Sequence, residues 1–216
     1  MITIKSVPEK IPRIYPITDA TLSGLSHPEQ VECLVEGGAR MVQLREKYLS
    51  GMEFFESARQ SVEIAHRSSA QLIINDRVDI AIAVRADGVH LGQDDTPPVA
   101  ARKIMGDAAI IGYSTHSLEQ AVAASRLPVD YIAIGPIFPT ITKQDPEAVV
   151  GIDGLMRVRD ALPNATLVAI GGITSANLAD IFEAGADSAA LISAIFAKPH
   201  TITETFKRLN EQICYT

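Results

Sequence analysis

The sequence predicts an α/β fold, a single-domain (β/α)8 (TIM) barrel, and three observations predict it. Eight short apolar, β-branched runs alternate with longer segments of helical periodicity. The runs are nearly continuous in apolar character rather than alternating, which suits a parallel sheet buried on both faces. Spread over 216 residues, eight units come to about 27 residues each, compact but sufficient for a barrel with few insertions. A doubly wound open sheet is the alternative, weakened by the absence of a GxGxxG after the first strand.

In chain order, strands are predicted over 13–18, 41–45, 71–75, 88–91, 109–113, 131–135, 167–170 and 189–193. Between them, stretches such as HPEQVECLVEGGA, GMEFFESARQSVEIAHRSS and SLEQAVAASRLP repeat apolar residues at three- and four-residue spacing, as a helix covering a sheet demands. Ser26, Ser117 and Ser175 each precede such a pattern and are candidate helix caps. GGARMVQLR and AGADSAALIS share a Gly/Ala-then-strand pattern, which suggests repeated βα units. Nothing marks a linker or a low-complexity tract. Residues 1–216 therefore read as one domain, with 1–12 as an N-terminal arm.

Composition narrows the function. Hydrophobic residues make up 47% and charged residues 21%, which excludes global disorder. A net charge of −7 argues against nucleic acid and anionic membranes, which need a dense basic patch. No run approaches the roughly 18 apolar residues of a membrane span. The N-terminal residues lack the apolar core of a signal peptide. Cys33 and Cys214 do not make a disulfide framework, and a reduced, cytoplasmic setting is expected.

In such a barrel the chemistry sits at the C-terminal ends of the strands. Here nearly every exit carries polar residues or glycine. Thr18-Asp19 follows strand one, Gln43 to Lys47 strand two, and Asn75-Asp76-Arg77 strand three. Gly92 to Asp95 follow strand four, and Ser114-Thr115-His116 strand five. Strand six runs into Gly135 to Lys143, strand seven into Gly171-Gly172, and strand eight ends at Ser193. Arg45, Lys47, Arg77 and Lys143 put positive charge at the mouth of an acidic protein. Asp76 and Asp95, at consecutive exits, could share a hard cation, and Mg²⁺ takes a few carboxylates plus substrate phosphate oxygens. Together these suggest a di- or triphosphate ligand. The plainer alternative makes Asp76 a helix cap and Asp95 an ordinary loop carboxylate. Gly171-Gly172 and Ile192-Ser193 suggest a second phosphate site built from backbone N–H groups.

The histidines point elsewhere. His90 reads as a hydrogen-bonded barrel residue, and His116 as a capping or packing residue. His27, His66 and His200 read as surface residues. No zinc spacing, GxSxG or strand-end cysteine is present, and no lysine lies inside a strand run.

The stretches YPITD, QLREK, IND, DGVHLGQDD, GYSTHS, GPIFPTITK, AIGGI and ISAI, in this order from Tyr15 to about Ile195, resemble the thiamine-phosphate synthase family. The resemblance implies a (β/α)8 transferase of thiamine biosynthesis that uses Mg²⁺. It would join an aminopyrimidine methyl diphosphate to a thiazole phosphate, releasing pyrophosphate. It implies a pyrimidine-diphosphate site of Gln43, Leu44, Arg45, Glu46, Lys47, Asn75, Ser114 and Lys143. Of these Arg45, Lys47, Ser114 and Lys143 would be catalytic. Asp76 and Asp95 would be the metal ligands. Thr140, Ile141, Thr142, Gly172, Ile192 and Ser193 would hold the thiazole phosphate. The partners would be these small molecules alone, with a homo-oligomer left open. Ser188 after Asp187 departs from the family's usual Gly, and the arm lies outside the match.

Three alternatives stand beside this. A thiazole tautomerase on the same barrel carries a His in the strand-six turn, where this chain has Gly135-Pro136-Ile137. A non-catalytic phosphate- or thiazole-binding barrel would not need the carboxylate pair. A phosphosugar isomerase would want a strand-end Glu or His base, and Glu46, the nearby candidate, lies between Arg45 and Lys47 and so points away from their face. The loop over 137–150 is a candidate lid.

Overall fold

A computed structural model of the protein describes residues 11–140, 147–196 and 198–213. Its strands are β1 (Ile14–Pro16), β2 (Met41–Leu44), β3 (Gln71–Asn75), β4 (Gly88–Leu91), β5 (Ile110–Thr115), β6 (Tyr131–Ile134), β7 (Leu167–Ile170) and β8 (Ser188–Leu191). They form one eight-stranded sheet in the order β1-β8-β7-β6-β5-β4-β3-β2, and every pairing is parallel. A bridge between Ile17 and Gln43, with the Thr18 N–H 2.9 Å from the Gln43 carbonyl, brings the end of β1 against β2 and closes the ring. All eight predicted strands are present, with bounds within two residues of expectation. The largest differences have local causes. β5 runs on through Ser114 and Thr115 because their backbones pair with Ala133 and Ile134. β8 stops at Leu191 because Ser193 opens a short helix.

Ten helices surround the ring among the described residues: α1 (Ala20–Ser23), α2 (His27–Glu36), α3 (Gly51–Arg67), α4 (Val78–Val84), α5 (Pro98–Met105), α6 (Leu118–Ala124), α7 (Gly151–Ala161), α8 (Leu178–Glu183), α9 (Ser193–Phe196) and α10 (Ile202–Gln212). Ser26 caps α2 and Ser117 caps α6, as the sequence suggests. Ser50 caps α3 and, like Ser26, forms a reciprocal capping box with a glutamate, here Glu53. Ser175 does not cap: α8 begins after Asn177, whose side chain accepts the Thr174 N–H instead.

Alternation along the strands splits the apolar residues into two layers. Val42, Leu44, Leu72, Ile74, Val89 and Leu91 face the helices. Ile17, Met41, Ile73, Ile110, Ala133 and Val168 fill the interior. Both faces are buried, which is why the runs read as continuously apolar.

One device recurs at the base. Asp87, Asp130 and Asp187 immediately precede β4, β6 and β8. Each donates its backbone N–H to the carbonyl of Leu72, Ile111 or Leu167 on the preceding strand. Each also accepts the N–H of that same residue on its carboxylate, at 2.7–2.8 Å. A basic side chain from the helical layer completes each clamp: His66, Arg102 and Arg159, at 2.9, 2.6 and 2.6 Å. The phrases RADGV, PVDYI and GADSA are this device in sequence. Ser188 donates its hydroxyl to the Pro12 carbonyl at 2.6 Å and so ties the chain entering β1 to β8. Residues 1–10 of the expected arm lie outside the described residues.

Asp130→Ala should lower unfolding free energy by about 2 kcal/mol, because the Ile111 N–H and the Arg102 guanidinium lose a shared acceptor. Urea denaturation measures this. A loss below about 0.5 kcal/mol would show that water replaces the carboxylate.

Candidate active site

Five polar side chains form a hydrogen-bonded chain inside the barrel. The Gln43 amide donates to the Tyr15 hydroxyl at 3.1 Å. The Tyr15 and Tyr131 hydroxyls are 3.0 Å apart. Tyr131 meets His90 Nδ1 at 3.0 Å, and His90 Nε2 meets Ser114 Oγ at 2.8 Å. Of the two donor orders this geometry allows, one has Tyr15 donate to Tyr131, Tyr131 to His90 and His90 Nε2–H to Ser114, which leaves the Ser114 hydroxyl proton to point elsewhere. Burial holds the His90 pKa down at about 4, against the opposing pull of Asp95. Burial also raises both tyrosines, which stay protonated donors.

Above this chain a cavity of about 510 Å³ opens at the C-terminal ends of the strands. Gln43, Arg45 and Lys47 reach it from β2, and Asn75 and Asp76 from β3. Asp95 arrives from the β4 exit and Ser114 from β5. Lys47 is ion-paired with Asp76. Asp76 sits at φ +63, a left-handed conformation that costs a non-glycine residue energy, and its N–H is held by the His90 carbonyl at 2.8 Å. It is not the helix cap, because α4 starts after Arg77 and has no side-chain cap. Asp95 accepts the Gly92 N–H at 2.7 Å. Burial, then hydrogen bonding and repulsion from the Asp76 carboxylate, push the Asp95 pKa up. Two adjoining carboxylates, one of which raises the pKa of the other, are a fitting donor pair for a hard divalent cation. Among the described residues no group of three or more ligating side chains exists, so such a cation would draw its other oxygens from ligand and water.

The opposite side of the same cavity is built from backbone. Gly171 and Gly172 have φ of +98 and +64, and a Cβ on either would strike the β6 turn, at Pro136 (2.6 Å) or at Pro139 and Phe138 (2.6 and 2.7 Å). Ile192 and Ser193, at the start of α9, line the wall beside them, with Thr140 across from them. This is a glycine-lined wall beside a helix start, the setting in which backbone N–H groups hold phosphate.

The cavity thus gathers most of the residues singled out in sequence. Leu44, Glu46 and Arg77 are exceptions: the Arg77 guanidinium pairs with Asp79 and does not line the cavity. Leu44 is fully buried in the helix-facing layer, and Glu46 turns away from the cavity. Ile141, Thr142 and Lys143 lie outside the described residues. Sequence reasoning missed Tyr15, Tyr131, Gln120 and Glu147, all of which line the cavity. It also misplaced His27, which is 2% exposed rather than on the surface. His116 both packs and lines: its Nδ1 is 2.6 Å from the Gly135 carbonyl at the cavity wall.

A family model described as thiamine monophosphate synthase matches residues 14–195. The chain belongs to the thiamine monophosphate synthase family. Within that family it is 47% identical to the thiamine-phosphate synthase of Chloroflexus aurantiacus, over 86% of this chain and 85% of the relative. It is 42% identical to that of Koribacter versatilis, over 93% and 96%. Among solved structures, a thiamine phosphate pyrophosphorylase from Pyrococcus furiosus superposes with a TM-score of 0.81 at 34% identity, covering 93% of this chain and 96% of the other. A 3-hexulose-6-phosphate synthase, at 14% identity and a TM-score of 0.66, shares the barrel fold alone.

The depressed His90 pKa has a consequence for this family member's stability. Below about pH 6.5 the unfolded chain takes up a proton that native His90 refuses. Stability should therefore fall as pH drops from about 6.5 toward 4, by up to about 3 kcal/mol from this group. Denaturation midpoints across that range should slope less in His90→Gln than in wild type. Equal slopes would assign the acid loss to other groups.

Proposed function

We propose that the chain is a thiamine-phosphate synthase that runs its reaction by departure of diphosphate before bond formation. One observation carries the reading. A single cavity has a charged end, Arg45 and Lys47 beside Asp76 and Asp95, and a backbone-built end at Gly171-Gly172 and Ser193. Two phosphorylated substrates can be held at the two ends with their reacting atoms between them.

Asp76 and Asp95 would hold Mg²⁺, which supplies a Lewis acid for diphosphate oxygens. Arg45 and Lys47, with Lys143 by family resemblance, face the negative charge that grows on diphosphate as the C–O bond breaks. Fixed cations aimed at developing charge lower the barrier without reorganisation. The electron-rich aminopyrimidine delocalises the positive charge left on its methylene carbon. Ser114, at the end of the interior chain, binds the pyrimidine or the diphosphate. Gln43 and Asn75 complete the pyrimidine side. The thiazole nitrogen then attacks the methylene carbon, kept close by a phosphate anchored at Gly172, Ile192 and Ser193 with Thr140 and, by family resemblance, Ile141 and Thr142. The mechanism requires no enzyme nucleophile. The β6 turn, Gly135-Pro136-Ile137, has no histidine to serve a tautomerase.

Purified protein with both substrates and Mg²⁺ should release pyrophosphate and form thiamine phosphate, and EDTA should abolish both. Thiazole-phosphate binding without release would favour the tautomerase or binding-barrel readings. Asp76→Asn and Asp95→Asn should each raise the Mg²⁺ concentration for half-maximal rate by about 10–100-fold. Titrations superimposable on wild type would remove those residues from the metal site.

A further inference from the structure

The loop that carries Arg45 and Lys47 is clipped at both ends by one run of buried side chains. At its start, the Arg45 N–H donates to Thr18 Oγ1 at 3.2 Å. Thr18 Oγ1 is 2.7 Å from His27 Nδ1, and His27 Nε2 is 2.9 Å from Glu46 Oε2. The other carboxylate oxygen, Glu46 Oε1, collects three consecutive backbone N–H groups: Lys47 at 2.6 Å, Tyr48, and Leu49 at 3.0 Å. Thr18 and His27 are 0% and 2% exposed, and the Glu46 side chain is 6% exposed. One proton order satisfies every atom: Thr18 O–H donates to His27 Nδ1, and His27 Nε2–H donates to Glu46.

We propose that His27 is the positioning residue of the anion site: with Thr18 and Glu46 it holds the 45–49 loop in the shape that keeps Arg45 and Lys47 at the cavity. The geometry supports this over a merely structural role. The run begins on the backbone of one cation and ends on the backbone of the other. A buried Glu46 with no His27 would be free to leave the three N–H groups, and among the described residues Thr18 and Glu46 are the only side chains that bond the backbone of the loop. Neither His27 nor Glu46 lines the cavity, so the effect passes through Arg45 and Lys47. The inference rests on reading those two as diphosphate-binding cations.

The test separates the two claims by using a ligand that needs no turnover. Calorimetric titration with inorganic pyrophosphate and Mg²⁺ should give a Kd raised about tenfold in His27→Ala, with partial recovery in His27→Gln, which keeps an N–H for Glu46. In steady state, KM for the pyrimidine diphosphate should rise and KM for the thiazole phosphate should stay at the wild-type value. Thr18→Val, nearly isosteric, breaks the other end of the clip and should raise the pyrophosphate Kd in the same direction if His27→Ala does not fold. Wild-type Kd in folded His27→Ala, or in Thr18→Val, overturns the proposal. An equal rise in both KM values overturns it too, since it marks a general loss of structure. Pyrophosphate binding that is unchanged in Arg45→Ala would overturn the underlying assignment instead.

Discussion

The hydrogen-bonded chain through the barrel, from Gln43 by way of Tyr15, Tyr131 and His90 to Ser114, is the constraint to which the rest of the site conforms. Placing five polar groups where a barrel normally stacks aliphatic side chains costs desolvation, recovered only if each group is paired. Among the described residues no buried side-chain polar atom lacks a partner. The chain also sets its own space. Tyr15 and Tyr131 meet edge to face at 5.8 Å between ring centroids, and His90 stacks on Tyr131 at 5.6 Å. A Cβ at residue 112 would lie 2.0 Å from the Tyr131 ring, so that position on β5 must be glycine. Ser114, two residues further along the same strand face, receives the end of the chain. The interior of the barrel and the polarity of its mouth are one structure.

The two ends of the barrel divide the work. At the base, the Asp87, Asp130 and Asp187 carboxylates each bond the preceding strand and a basic side chain of the helical layer, and none of the three lines the cavity. At the mouth, the aspartates do the opposite. Asp76 and Asp95 face one another and accept backbone strain and a raised pKa in place of maximal stability. Strained and electrostatically costly groups at one end are tolerable because well-satisfied ones hold the other.

What the sequence revealed follows the same division. Strands were legible because burial on both faces leaves continuous apolar runs, and exits were legible because glycine and charge interrupt them. Long-range pairing was not. His27 sits at the first position of α2, right after the Ser26 cap, where local rules describe an exposed residue. Only the approach of Thr18 and Glu46 buries it, and neither distance is written in the local pattern. Tyr15 and Tyr131 carry no local signal, because a tyrosine in an apolar run is ordinarily packing. Their hydroxyls matter only once the ring closes and brings them together. Asp76 read equally well as a helix cap, and the ambiguity resolves in the start of α4 after Arg77.

An acidic protein can bind a diphosphate if it places a few cations so that its own carboxylates do not capture them. Arg45 meets this condition: among the described residues its side chain has no ion pair, and its backbone is held by Thr18. Lys47 does not, since it is paired with Asp76. That pair makes Lys47 a cation with two competing anions, a carboxylate in the free protein and diphosphate in the proposed complex. Committing the Asp76 carboxylate to a divalent cation would release Lys47 to the diphosphate. Metal and diphosphate would then favour one another's binding, through a charge exchanged between neighbours rather than through a change of fold. The carboxylate pair and the cation loop are for this reason best read as one anion site, with Glu46 turned away to His27 so that it does not become a third competitor.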